Sequence, residues 1–190
     1  MPNQHHILTV GISLLTNFEK ARQLPQAEAL RRGQQVAQFL LANPKVNCAE
    51  INSLDSRTGF LGPGAPTLTA SLVYSQTEAG KLCAKLIERF LKTRGVMATR
   101  LQLDAIDLPS RARADAQLAQ RLAQRGLSDL RAKLLDHITR LRRRSPSVQI
   151  ELNCTGGYKA ECAVLYELGR ALRLPVYYLH ETFKVAVELP

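Results

Sequence analysis

Asn153-Cys154-Thr155-Gly156-Gly157-Tyr158-Lys159 stands between a short apolar run, Val148 to Leu152, and an amphipathic one, Ala160 to Arg173. The order reads as strand, tight glycine turn and helix. Adjacent glycines accept positive φ and let a backbone approach a ligand closely. A helix start adds unpaired N–H groups and a partial positive charge, which suits a phosphate. Lys159 contributes a full charge and Thr155 a hydroxyl. The pattern is neither the phosphate loop G-x-x-x-x-G-K-[ST] nor the dinucleotide fingerprint G-x-G-x-x-G. A plain strand–helix turn with an exposed lysine is the competing reading.

Upstream of this turn the same alternation recurs. Ile7 to Gly11 reads as a first strand, followed by a loop, Gly11 to Asn17, with Asn17 able to cap the next helix. Gln26 to Leu41 reads as one helix ended at Asn43-Pro44, and Asn47 to Leu54 as a short second one. Ser56 to Pro66 is rich in glycine and proline and reads as a loop. Leu68 to Tyr74 is a second strand. Thr77 caps the helix after it, with Leu82, Leu86 and Phe90 on one stripe and Gly95 at its end. Met97 to Leu103 is a third strand, extended by Asp104 to Leu108. Ala114 to Arg125 and Ser128 to Arg144 read as two helices broken at Gly126. Beyond the central turn, Pro175 stops the helix, Val176 to Leu179 is a fifth strand, and Phe183 to Leu189 is an edge strand or hairpin partner. Strands alternating with helices predict one α/β domain over residues 1–190, a Rossmann-like, mostly parallel sheet with helices on both faces.

In such sheets ligands bind beyond the carboxyl ends of the strands. The Gly11–Asn17 loop and the Thr155–Lys159 loop are therefore expected to share one crevice.

The chain has 190 residues, a net charge of +10 and four cysteines. No run is apolar enough to span a bilayer, and Met1 to His6 lacks the pattern of a signal peptide. A cytoplasmic protein away from membranes is expected. Cys48, Cys83, Cys154 and Cys162 show no C-x-x-C spacing and read as reduced, mostly buried thiols, with no metal site. The positive charge suits a polyanionic partner. Part of it, Arg140, Arg142, Arg143 and Arg144, also suits a helix C-terminus.

Three groups of segments resemble the CRISPR-associated Rossmann fold, the CARF domain. They are Val10-Gly11-Ile12-Ser13-Leu14-Leu15-Thr16-Asn17; Ala49-Glu50-Ile51-Asn52-Ser53-Leu54 with Ser75-Gln76-Thr77-Glu78-Ala79-Gly80; and Asn153 to Lys159 with Val176-Tyr177-Tyr178-Leu179-His180-Glu181. The resemblance implies a homodimer that binds a cyclic oligoadenylate, the messenger of type III CRISPR defence, on its twofold axis. It also implies a choice between a ring nuclease, which cuts the messenger without metal or cofactor, and a non-catalytic sensor domain of a longer effector. In the ring nucleases a ribose 2′-OH attacks the neighbouring phosphate and leaves a 2′,3′-cyclic phosphate. Ser13 and Lys159 match the positions implicated in that cleavage. The candidate ligand-binding residues are Gly11, Ile12, Ser13, Leu14, Thr16, Asn17, Ser75, Thr155, Gly156, Gly157, Tyr158 and Lys159. Lys159 would supply charge, while Ser13 and the Gly156 and Gly157 amides orient phosphate. Cyclic tetra-adenylate is the expected ring.

Arg131 and His137 fit the R-x(4–6)-H spacing of a HEPN ribonuclease, but they fall on a helix of the same domain, and His137 reads as a helix-surface residue. His5 and His6 read as a disordered lead-in. His180 and Glu181 line the crevice or face solvent. No helix-turn-helix is present, so no direct DNA binding is expected.

Overall fold

The computed structural model describes residues 4–103, 115–180 and 182–190. Strands β1 (Gln4–Val10), β2 (Leu68–Ser75), β3 (Met97–Leu103), β4 (Gln149–Asn153) and β5 (Val176–Leu179) are parallel, and β6 (Ala186–Glu188) returns antiparallel to β5. Their order is β3-β2-β1-β4-β5-β6. The helices are α1 (Ser13–Arg22), α2 (Gln26–Arg31), α3 (Gly33–Ala42), α4 (Pro44–Asn47), α5 (Ala49–Thr58), α6 (Glu78–Thr93), α7 (Ala116–Arg144) and α8 (Lys159–Leu172). This is a Rossmann-like α/β fold. The chain builds outward from β1 through β2 to β3, then crosses to β4 on β1's other side. Strand order thus reverses between β1 and β4, the point at which open sheets of this kind bind ligands.

Period-two alternation in β1 feeds two cores. Leu8 and Val10 pack with Phe18, Ile51, Leu54 and Ile87 under α1, α5 and α6. Ile7 packs with Leu134, Ile138, Leu152 and Leu165 under α7 and α8. His5 and His6 belong to this strand, buried, rather than to a lead-in. His5 bonds Thr69 Oγ1 at 2.6 Å and Ser71 Oγ at 2.9 Å, and His6 Nδ1 meets Tyr177 OH at 3.0 Å. The central strand needs these residues, since its register against β2 and β4 begins at Gln4.

Several elements differ from the sequence reading. The Gly11–Asn17 segment is the start of α1, with Ile12 as its N-cap. Asn17 lies inside that helix, and its amide donates to the Asn47 carbonyl at 3.1 Å. The helix read over Gln26 to Leu41 is two, bent apart at Arg32 (φ −98°, ψ 34°). The Asn47–Leu54 segment contains the end of α4 and most of α5, which runs on to Thr58. The helix α7 continues through Gly126, which is buried. The roughly 1 kcal/mol glycine penalty is small against tertiary packing of the apolar stripe. His137 is half-buried, with Nε2 at 2.8 Å from Ser71 Oγ, because its side of α7 faces the sheet. The Asp104–Leu108 extension and the Ala114 start of the α7 region lie outside the described residues.

Cys48, Cys83 and Cys154 are buried and Cys162 half-buried, all as free thiols. Among the described residues no helix is long and apolar enough to cross a membrane.

Candidate functional site

At the β1 and β4 termini the two loops touch backbone to backbone. A Cβ on Gly11 would lie 2.9 Å from the Gly157 nitrogen, and one on Gly156 would lie 2.8 Å from the Gly11 nitrogen. Gly157 has φ +84°, a conformation reserved in practice for glycine. Thr9 fixes the turn from below, its hydroxyl donating to the Gly156 carbonyl at 2.6 Å.

The group that anchors the β1–α1 junction is Glu50, near the start of α5 and 1% exposed. Its carboxylate accepts from the Gly11 amide at 2.8 Å, the Ser13 hydroxyl at 3.1 Å and the Cys48 thiol at 3.2 Å. Sequence reasoning gave Glu50 no role. The available signal was an acidic side chain among core positions, since Ile51 and Leu54 beside it are both buried.

A second polar chain runs under the β4–α8 loop. Asn153 Oδ1 accepts from the Thr155 amide at 3.0 Å and from Ser53 Oγ at 3.2 Å. The Thr155 hydroxyl donates to Ser53 Oγ at 2.7 Å and accepts from the Leu179 amide at 2.9 Å. Asn153 Nδ2 donates to Tyr177 OH at 3.3 Å, which leads on to His6. Thr155 therefore spends its hydroxyl on joining α5 to β5.

At the α8 start the Tyr158 amide donates to Glu161 Oε2 at 2.9 Å. Burial pushes the Glu161 carboxyl above its usual range, opposed by that same amide. The amides of Gly157, Lys159 and Ala160 have no partner among the described residues, nor does the Lys159 ammonium. These are the donors that an anion would meet.

Beside them opens a cavity of about 620 Å³, lined by Thr155, Gly157, Lys159, Tyr178, His180 and Lys184 among others. His180 joins Lys159 here. Its Nδ1 accepts from the Thr182 and Phe183 amides at 3.2 and 3.3 Å. Glu181 lies outside the described residues. Lys184 is a second cation at the site that sequence reading missed; it follows the last parallel strand in a turn, where neither periodicity nor motif marks it.

Gly11 and Ser13 lie at the β1 terminus beside the glycine turn, and the Gly11 amide is committed to Glu50. Ile12 and Tyr158 are exposed at 39% and 57%. Leu14 is buried in the core and turned away from any ligand, because the segment is helical and that position faces inward. Thr16 and Asn17 are half-buried on α1. Ser75 is buried and bonds Thr77 Oγ1 at 3.0 Å in the cap of α6. Arg131 is bonded to Glu167, 3.1 Å away on α8, whereas His137 faces Ser71. Six helical positions separate them by about 240° around the axis, so they form no joint site.

Comparison with known proteins adds one finding. The model of a family described as CRISPR-associated protein (Cas_APE2256) matches residues 45–190. No curated protein matches the chain.

Proposed function

The chain belongs to the CRISPR-associated protein family Cas_APE2256, and on that premise we infer that it binds cyclic tetra-adenylate and cleaves it slowly without metal. The observation that carries this reading is the contact between Gly11, two residues before Ser13, and the Gly156-Gly157 loop, beside a cavity lined by Lys159 and Lys184. Four phosphates in a ring call for lysines and unpaired helix-start amides. Catalysis rests on aligning a ribose 2′-OH with the scissile P–O bond and on stabilising the charge that develops there.

The cleavage test uses radiolabelled cyclic tetra-adenylate in EDTA. The expected product is a short linear oligoadenylate ending in a 2′,3′-cyclic phosphate. Lys159→Ala is expected to weaken binding and cleavage together, each roughly 10- to 100-fold, the worth of a charged hydrogen bond. Ser13→Ala is expected to slow cleavage more than it weakens binding. Intact ring after long incubation with excess protein overturns the nuclease reading, and tight binding without turnover leaves a sensor.

A twofold dimer supplies every group twice, matching the symmetry of the ring. Exposed Ile12 and Tyr158, at the starts of α1 and α8, are the apolar surface such a dimer would cover. Light scattering at micromolar concentration is expected to give twice the chain mass, and a monomer there counts against the shared site.

A further inference from the structure

We propose that Glu50 is a positioning residue that turns Ser13 into an acceptor for the ribose 2′-OH; this rests on the ring-cleavage reading and supplies the proton acceptor that reading lacks. Glu50 is 1% exposed, and three donors converge on its two oxygens: the Gly11 amide, the Ser13 hydroxyl and the Cys48 thiol. A carboxylate has no proton to give, so the Ser13 hydroxyl must donate inward, at 3.1 Å. Ser13 is half-buried and its Oγ has no other partner among the described residues. Its lone pairs are what remain for a ligand. An oxygen that presents lone pairs repels phosphate oxygens and accepts from a hydroxyl. This reverses the role expected for Ser13 from the sequence, where it was to orient phosphate.

The 2′-OH gives its proton to Ser13 Oγ as the Ser13 proton passes to Glu50 Oε2. The 2′-oxygen bonds to phosphorus and the bond from phosphorus to the 5′-oxygen breaks. The leaving 5′-oxygen takes a proton from water, and Glu50 returns its proton to solvent. Gly156 keeps this carboxylate close to the phosphate loop, since a Cβ there would lie 2.3 Å from Glu50 Oε1.

Glu50→Gln isolates the effect. Glutamine can keep its oxygen for the Gly11 amide, but its –NH₂ then faces Ser13 and turns the serine proton outward. Under single turnover with cyclic tetra-adenylate, the variant is expected to cleave about 100-fold more slowly, with a half-saturating concentration within about threefold of wild type. Adding Ser13→Ala to it should cost little more, because the two act as one unit. A second readout needs no turnover. Rings carrying 2′-deoxy or 2′-fluoro riboses cannot be cleaved, and fluorine can only accept. Wild type is expected to bind the deoxy ring about threefold more tightly than the fluoro ring, and Glu50→Gln to lose or reverse that ratio. Comparing the ratio between proteins cancels the effect of fluorine on sugar pucker.

If Glu50→Gln does not fold, Ser13→Ala carries the test, since it should abolish the deoxy–fluoro difference. Cys83→Ala, at a buried thiol outside the Glu50 hydrogen bonds, should preserve it. An unchanged rate and ratio in Glu50→Gln overturns the proposal, as does a parallel loss of binding and rate, or a ratio that survives Ser13→Ala. A wild type that binds rings without cutting them overturns the nuclease reading alone and leaves the ratio to decide the Ser13 orientation. A wild type that binds no ring overturns both.

Discussion

Gly156→Ala is expected to destabilise the protein by about 3 kcal/mol and, on the proposed function, to abolish binding of cyclic tetra-adenylate. A Cβ at this position would sit 2.3 Å from Glu50 Oε1, 2.5 Å from the Thr9 carbonyl oxygen and 2.8 Å from the Gly11 nitrogen. Two of those three atoms are backbone and cannot swing aside. Nor can the Gly156 peptide rotate freely, because the Thr9 hydroxyl holds its carbonyl at 2.6 Å. Relief requires β1 and β4 to separate at their carboxyl ends, since moving Glu50 off the Gly11 amide would clear only one of the three contacts. Urea denaturation measures the effect. Gly64→Ala is the control: φ there is +72° with nothing within 4 Å of the added carbon, so only the backbone cost of about 1 kcal/mol applies. A Gly156→Ala midpoint no lower than the Gly64→Ala midpoint would show that the loops have slack.

Acidification is expected to have an effect of similar size through the two histidines of β1. Burial, reinforced by His137, lowers the His5 pKa from 6.5 to about 4. Burial, then His5 and Arg57, lowers that of His6 to about 3. Both rings are neutral when folded, so between pH 6.5 and these values the unfolded chain binds more protons than the folded one. The stability tied to the neutral rings is complete above about pH 6.5 and falls as pH drops through 6.5 toward 4 and 3. At pH 4.5 the loss is up to about 2.5 kcal/mol per histidine. His6 has no partner for a second proton, since among the described residues its Nε2 meets no acceptor. Denaturation midpoints at pH 7.5 and 4.5 test this, comparing wild type with His6→Asn. The variant should lose less on acidification. Glu161, whose carboxyl is raised by burial, titrates in the opposite sense, so the difference between proteins isolates the histidine. Equal losses in both would remove His6 as a cause.

Chain order alone carried the reading of the sheet. Each strand is a short apolar run bounded by turn residues, and each parallel pair needs a crossover, so the alternation of Leu68–Ser75, α6 and Met97–Leu103 admits few arrangements. The glycine turn before Lys159 was legible for a related reason. Adjacent glycines followed by an amphipathic run carry a local conformational meaning that does not wait on distant partners. The α1 start was misread because Ser13 to Asn17 is rich in short polar residues that favour turns in isolation. Burial of Leu14, Leu15 and Phe18 overrides that preference.

The sequence by itself determined the α/β class, the parallel strands and the glycine turn after the fourth strand, because those follow from periodicity and turn chemistry within a few neighbouring residues. Only the tertiary structure decided what each polar group does. Glu50 reaches Gly11 from 39 residues away, Thr155 is consumed by Ser53 and Leu179, and His5 and His6 are core. Hydrogen-bond partners distant in sequence leave no local period, and a buried donor or acceptor is assigned only when the fold has removed water as its alternative partner.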